Sequence, residues 1–162
     1  MDRPRIRMAR QDDAEAVTAM LANLAQDIGD EDRFCSDAET IARHGFGARS
    51  LFTSQIAETE TGAVGLALYF PVFSTTRGLP GLYVQDLWVS FTARGQGLGR
   101  ALLAAAAAQA NAEWGAEYLG LTVYHDNEGA QAFYQLLGFA AGENECPMTL
   151  DGAPFQQLRK SQ

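Results

Sequence analysis

The segment Arg94-Gly95-Gln96-Gly97-Leu98-Gly99 constrains this chain more than any other. A strand-like run, Leu82-Tyr83-Val84-Gln85-Asp86-Leu87-Trp88-Val89, precedes it, and an Ala- and Leu-rich run to about Trp114 follows it. Closely spaced glycines let a backbone approach a ligand without Cβ collision. They fall where a helix opens, so several N–H groups lack intrahelical acceptors. Those donors and the helix dipole suit an anion such as a pyrophosphate. Arg94 and Arg100 add cationic partners for phosphate oxygens. A Walker loop is excluded, because no Gly-Lys-Ser/Thr follows. The spacing G-x-G-x-G also departs from the G-x-G-x-x-G of dinucleotide-binding folds. Two readings stay open on these residues alone: a plain glycine-rich turn, and the R-x-x-G-x-G pattern that binds acetyl-CoA.

A second motif follows the next strand-like run, Tyr118–Val123. It reads Asn127-Glu128-Gly129-Ala130-Gln131-Ala132-Phe133-Tyr134-Gln135-Leu136-Leu137-Gly138-Phe139. Asn127 can cap a helix over Asn127–Leu137 that stops at Gly138. Ala130, Phe133 and Tyr134 then share one face. Tyr134 is open to two roles. It can be a core aromatic, or its hydroxyl, with an ordinary pKa near 10, can protonate a departing thiolate.

The rest of the chain reads as one α/β domain of 162 residues. Ile6-Arg7-Met8 is a short strand. Asp12 or Asp13 caps a helix over about Ala14–Ala25, with Val17, Met20, Leu21 and Leu24 on one face. An acidic loop, Gln26–Phe34, carries Asp27, Asp30, Glu31 and Asp32; it is either simply solvated or an attractor for a cation. Ser36 and Glu39 have capping-box spacing for a short helix ending near His44, with Gly45 as its left-handed stop. Leu51–Glu58 and Ala63–Phe70 form a hairpin. Pro71–Gly81 reads as a loop, and two antiparallel strands follow Phe139, the second near Met148–Leu158. The expected order is βααβββαβαββ, a mixed sheet with helices on both faces. Net charge is −8, which disfavours nucleic acid. The polar start and the short apolar stretches give no membrane span and point to the cytoplasm. Cys35 and Cys146 make no metal-binding pattern, so no metal is expected.

The two motifs, in this order and about thirty residues apart, resemble the GNAT superfamily of N-acetyltransferases. His44-Gly45-Phe46-Gly47, Ala67-Leu68-Tyr69-Phe70, Phe73-Ser74-Thr75 and Gly81-Leu82-Tyr83-Val84-Gln85-Asp86-Leu87 are similar to its diamine and thialysine acetyltransferase branch. The resemblance covers roughly Ile6–Phe139. It implies a splayed mixed sheet and acetyl-CoA as co-substrate. The cofactor would lie in the V between the Leu82–Val89 and Tyr118–Val123 strands. Leu87, Trp88 and Val89 would run along the pantetheine arm. Gly95, Gln96, Gly97, Leu98, Gly99 and Arg100, with Arg94, would hold the pyrophosphate. Asn127, Glu128, Gly129, Ala130 and Phe133 would flank the cofactor from the other side. Tyr134 would be the general acid. Asp27, Gln85, Gly120, Leu121 and Thr122 would meet the acceptor amine: a polyamine, a lysine analogue or another amino compound. A homodimer is implied as well.

One departure bears on chemistry. The branch carries Glu at the position of Gln85, and Gln cannot take a proton near neutral pH. Asp86, through water, or His125 would then be the base, or the amine arrives deprotonated. The same departure would suit an acetyl-CoA-binding sensor without turnover. A protein amine is a further possible acceptor.

Overall fold

The computed structural model describes residues 4–142 and 146–160. The chain divides into two compact units, Met1–Asn127 and Glu128–Gln162. The first holds a five-stranded sheet in the order β1-β2-β3-β4-β5. Its strands are β1 (Arg5–Met8), β2 (Thr53–Thr59), β3 (Gly62–Ser74), β4 (Leu79–Val89) and β5 (Leu119–Gly120). Every neighbouring pair is antiparallel except β4–β5, which is parallel.

Helices α1 (Ala14–Asp27) and α2 (Ala38–Gly45) cover one face, and α3 (Leu98–Trp114) covers the other. The expected apolar stripe of α1 is the buried one. Val17, Met20 and Leu21 pack with Ile41, Ile56, Leu66, Leu68 and Trp88, and Leu24 lies against the edge of that cluster. On the other face Leu98 and Leu102 of α3 pack with Ala57, Ala67 and Ala93. Gly115 ends α3 in the left-handed conformation, as its position suggests.

Several local expectations are corrected. Asp13 makes no cap bond; its carboxylate accepts from the Arg10 N–H and takes a two-pronged contact from Arg7 at 2.7 and 2.9 Å. Arg7 holds that carboxyl below its usual range. Asp37, not Ser36, caps α2, accepting from the Thr40 N–H at 2.8 Å. Gly45 is the last residue of α2 and no left-handed stop. It is small for another reason: a Cβ there would stand 2.5 Å from the Phe52 ring.

The span Pro71–Gly81 is no open loop, because β3 and β4 continue as a hairpin to Ser74 and Leu79. Pro71 is tolerated because β2 ends at Thr53, opposite Tyr69, so Pro71 faces a free edge on that side. The last strand of the sheet is only Leu119–Gly120, shorter than Tyr118–Val123.

The second unit contains α4 (Glu128–Leu136) and α5 (Gly152–Lys160). The two strands expected after Phe139 are absent among the described residues, and residues 143–145 of that stretch lie outside them. Gln156-Gln157-Leu158-Arg159-Lys160 are good helix formers. Pro154 is tolerated in a first helical turn but removes a donor from a strand.

Candidate active site

The site begins with one extra residue in β4. Leu68 pairs with Asp86 and Tyr69 with Val84, so Gln85 is a β-bulge. Partners across an antiparallel pair share a face. Leu82 and Val84 therefore lie on the α3 side with Tyr69. Past the bulge, Asp86 and Trp88 lie on the α1–α2 side with Leu68 and Leu66. Leu87 and Val89 continue the α3 side. Without the bulge, Val84 and Asp86 would share a face. The insertion leaves Gln85 exposed and draws Asp86 half into the apolar layer. Burial pushes the Asp86 carboxyl up to about 6. No hydrogen-bond partner for it is present among the described residues.

The same stretch is where β4 loses its neighbour. β5 pairs only through Leu82–Leu119 and Tyr83–Gly120. Beyond Tyr83, the edge of β4 that faces away from β3 has no strand beside it among the described residues. Gly120 adjoins Tyr83, and the Tyr83 hydroxyl shares a 2.6 Å hydrogen bond with Thr122 Oγ1. Leu121 is half-buried and Thr122 exposed. Two residues on, the exposed Tyr124 donates its hydroxyl to Asp30 Oδ2. That tie brings the acidic loop to the segment after β5, and it raises the Tyr124 pKa.

The glycine-rich turn opens α3 as its spacing requires. Gly95 and Gly97 have φ of 74° and 77°, the left-handed region that side chains resist. A Cβ at either would meet nothing of the protein, so the space above this backbone is open. Leu98 is buried and anchors the turn, while Gln96 and Arg100 are exposed. Among the described residues, the N–H groups of residues 95–100 donate to no protein acceptor. Open space over a row of free donors fits the diphosphate of an acyl-CoA. The unpaired edge of β4 equally fits an extended amide-bearing arm.

Arg94 is engaged within the protein. Its Nε donates to the Val89 carbonyl at 2.8 Å and its Nη2 to Asp27 Oδ2 at 2.5 Å. The Trp88 indole N–H donates to the same Asp27 oxygen at 2.9 Å. Asp27, the expected amine contact, is therefore committed to two partners within the protein. Arg94 is tied down rather than reaching outward. Nothing in local spacing signals these contacts, because the partners lie 61 and 67 residues apart.

In the second unit, α4 ends in a Schellman motif. The Phe139 N–H donates to the Tyr134 carbonyl at 3.1 Å and the Gly138 N–H to the Gln135 carbonyl at 3.0 Å. Gly138 takes φ of 95°. The motif sets Phe139 edge-on to Tyr134, ring centres 5.4 Å apart, and Phe133 stands at 5.0 Å from the same ring. Leu-Gly-Phe after the helix thus fixes the ring of Tyr134. Burial pushes the Tyr134 hydroxyl up to about 12, so it keeps its proton at neutral pH. Ala130 and Phe133 are half-buried on this helix; Glu128 and Gly129, in its first turn, are exposed. Asn127, the last residue of the first unit, donates its N–H to the Tyr124 carbonyl. His125 is exposed beside it.

Comparison with known proteins gives the family and the fold. Residues 18–139 match the acetyltransferase (GNAT) family. A thialysine N-epsilon-acetyltransferase of Bos taurus is 28% identical over 141 residues, covering 82% of each chain. An integron cassette protein from the mobile metagenome of V. cholerae superposes with a TM-score of 0.77 at 21% identity, over 99% of this chain and all of that one. An aminoglycoside acetyltransferase from an uncultured soil metagenomic sample superposes at 0.75 with 16% identity, over 93% of this chain and all of that one. At those identities the two superpositions speak for the fold alone. The family match spans most of the chain and takes in both motifs, so the protein belongs to the acetyltransferase (GNAT) family and is an N-acetyltransferase that works on an acyl-CoA.

Proposed function

We propose that the protein transfers the acetyl group of acetyl-CoA to a primary amine of a small molecule, with Asp86 as the base. The observation that carries this reading is the bulge at Gln85. It puts an exposed carboxamide next to a half-buried carboxyl whose pKa lies near 6. A general base is most effective when its pKa is close to the working pH. Gln85 can accept a hydrogen bond from an ammonium but cannot remove its proton. Asp86, through a water, can do so above pH 6. The two units act together as one domain in this reading.

Acetyl-CoA supplies a thioester carbonyl. The free amine attacks that carbon; a C–N bond forms as the C–S bond breaks. A free backbone N–H of Leu87–Val89 stabilises the oxygen that becomes negative, an effect often worth about 3 kcal/mol per donor. Tyr134, protonated at neutral pH, gives its proton to the sulfur, and the proton that the nitrogen loses as the amide forms restores the tyrosine. The diphosphate lies over the free N–H groups of residues 95–100. Gly120, Leu121 and Thr122 border the amine.

Three things support this choice of acceptor: the similarity to a thialysine acetyltransferase, the acidic residues around Asp30, and the net charge of −8. The sequence resemblance also carries a homodimer, which light scattering at micromolar concentration tests. Release of free CoA thiol across a panel of diamines, lysine analogues and aminoglycosides tests the function. Turnover with at least one small amine, saturating in that amine, is the expected result. A protein that binds acetyl-CoA but releases no thiol with any of them would defeat the proposal in favour of a sensor.

A further inference from the structure

We propose that Arg94 is a positioning residue rather than a phosphate ligand, and that with Asp27 it clasps the end of β4 to the end of α1. The inference rests on the reading of β4 as the strand that receives the acyl-CoA arm. Three hydrogen bonds define the clasp. Arg94 grips the Val89 carbonyl through Nε and Asp27 through Nη2, and the same Asp27 oxygen receives the Trp88 indole N–H. The last two residues of β4 are thereby fixed from both sides of the chain, one through its side chain and one through its backbone.

The strength of the ion pair itself does not account for this arrangement. Asp27 is the last residue of α1, where a carboxylate opposes the helix dipole. The Asp27 and Arg94 side chains are 41% and 47% exposed, and ion pairs that open to water contribute little to folding. What the carboxylate does accomplish is local. Trp88 is 9% exposed, and Asp27 gives its N–H an acceptor. That bond fixes the ring at the point where β4 stops having a strand neighbour. An arginine so engaged has spent its Nε and one Nη2 hydrogen inside the protein, and its charge faces a carboxylate. The diphosphate is left to the backbone donors of residues 95–100, as their open left-handed glycines permit.

Two acetyl donors separate the roles: acetyl-CoA, and S-acetylpantetheine, which has no diphosphate. A phosphate ligand matters only for the first; a clasp matters for both. Asp27→Ala and Arg94→Ala should each lower kcat/KM by about 10- to 100-fold, up to the scale of a small misplacement of reacting groups, with the same factor for both donors. The double variant should be no worse than the poorer single one. Asp27→Asn keeps an acceptor for Trp88 and should fall between wild type and Asp27→Ala. A loss in Arg94→Ala confined to acetyl-CoA, or losses that multiply in the double variant, would overturn the clasp. Tryptophan emission, with the Trp88→Phe spectrum subtracted, reads the clasp without turnover. Asp27→Ala and Arg94→Ala should shift it alike; emission moved by neither, or by Asp27→Ala alone, overturns the clasp. Wild type that turns over neither donor would sink the site reading instead, leaving emission to judge the clasp.

Discussion

Replacing Asp86 by Asn should make the protein more stable and less active, and both effects should follow pH. The carboxyl stands at about 6 against an ordinary 3.8, with burial as the cause. That difference corresponds to about 3 kcal/mol between its two forms. Solvent still reaches the group, so the effect on folding should be about 1–3 kcal/mol. The sign follows from proton binding. Between 3.8 and about 6 the folded chain holds a proton that the unfolded chain has released. Asp86 therefore makes the protein progressively less stable as pH rises through that window, and its full burden is felt above it. Asn carries no charge at any pH. Urea unfolding of both proteins should coincide near pH 3.5 and diverge through pH 4 to 6. Asp86→Asn should then stay ahead by a constant amount at pH 7 to 8. Over the same range its kcat/KM with an amine should fall by about 10²-fold or more, the usual contribution of a general base. The limb of the pH–rate profile near 6 should disappear. A stability difference that does not vary between pH 4 and 7 would refute the burial argument. A wild-type limb near 6 retained in the variant would refute the base.

Gly97→Ala puts a Cβ over the diphosphate backbone and should weaken acetyl-CoA binding more than tenfold in calorimetry; the left-handed φ of 77° adds about 1–2 kcal/mol of strain, so unchanged affinity in a folded variant would dismiss the loop as the cradle. Gln85→Glu should raise kcat/KM for a diamine at pH 7 and move the profile to lower pH; an unmoved profile leaves proton removal to Asp86 or His125. Tyr134→Phe keeps the ring held by Phe133 and Phe139 and removes the proton, so acetyl-CoA affinity should hold while kcat falls by about 10²–10⁴-fold; loss of affinity with no separate loss of kcat would make Tyr134 a packing residue.

The parts of the fold that were legible are those written in short spacings. The α1 stripe, the left-handed stop at Gly115 and the glycine turn before α3 each depend on residues a few positions apart. So does the end of α4, where Gly138 and Phe139 close a motif set by local geometry. Local spacing misleads where a distant partner decides. Pro71 looks like a strand breaker, yet it lies on an edge because β2 ends first, at Thr53. Gly45 looks like a helix stop, yet it is small because Phe52 packs on it. Asp27 falls by spacing in an acidic loop that is either solvated or open to a cation, yet it ends α1 and is held by Trp88 and Arg94 from across the chain.

The bulge at Gln85 is the most consequential feature that spacing could not disclose. Val84-Gln85-Asp86-Leu87-Trp88 admits a regular alternation in which Val84, Asp86 and Trp88 share one face. That would set the carboxyl and the indole against α3, away from α1. Register against β3 forbids it: Leu68 takes Asp86 and Tyr69 takes Val84, leaving Gln85 over. From that one displaced residue follow the depth of Asp86 and the approach of Trp88 to Asp27. The exposure of the residue that stands where the related branch has a carboxylate follows too. In the mechanism we propose, proton removal then passes to Asp86, whose partial burial raises its pKa to about 6. On that proposal strand register, rather than local spacing, selects which side chain serves as the base.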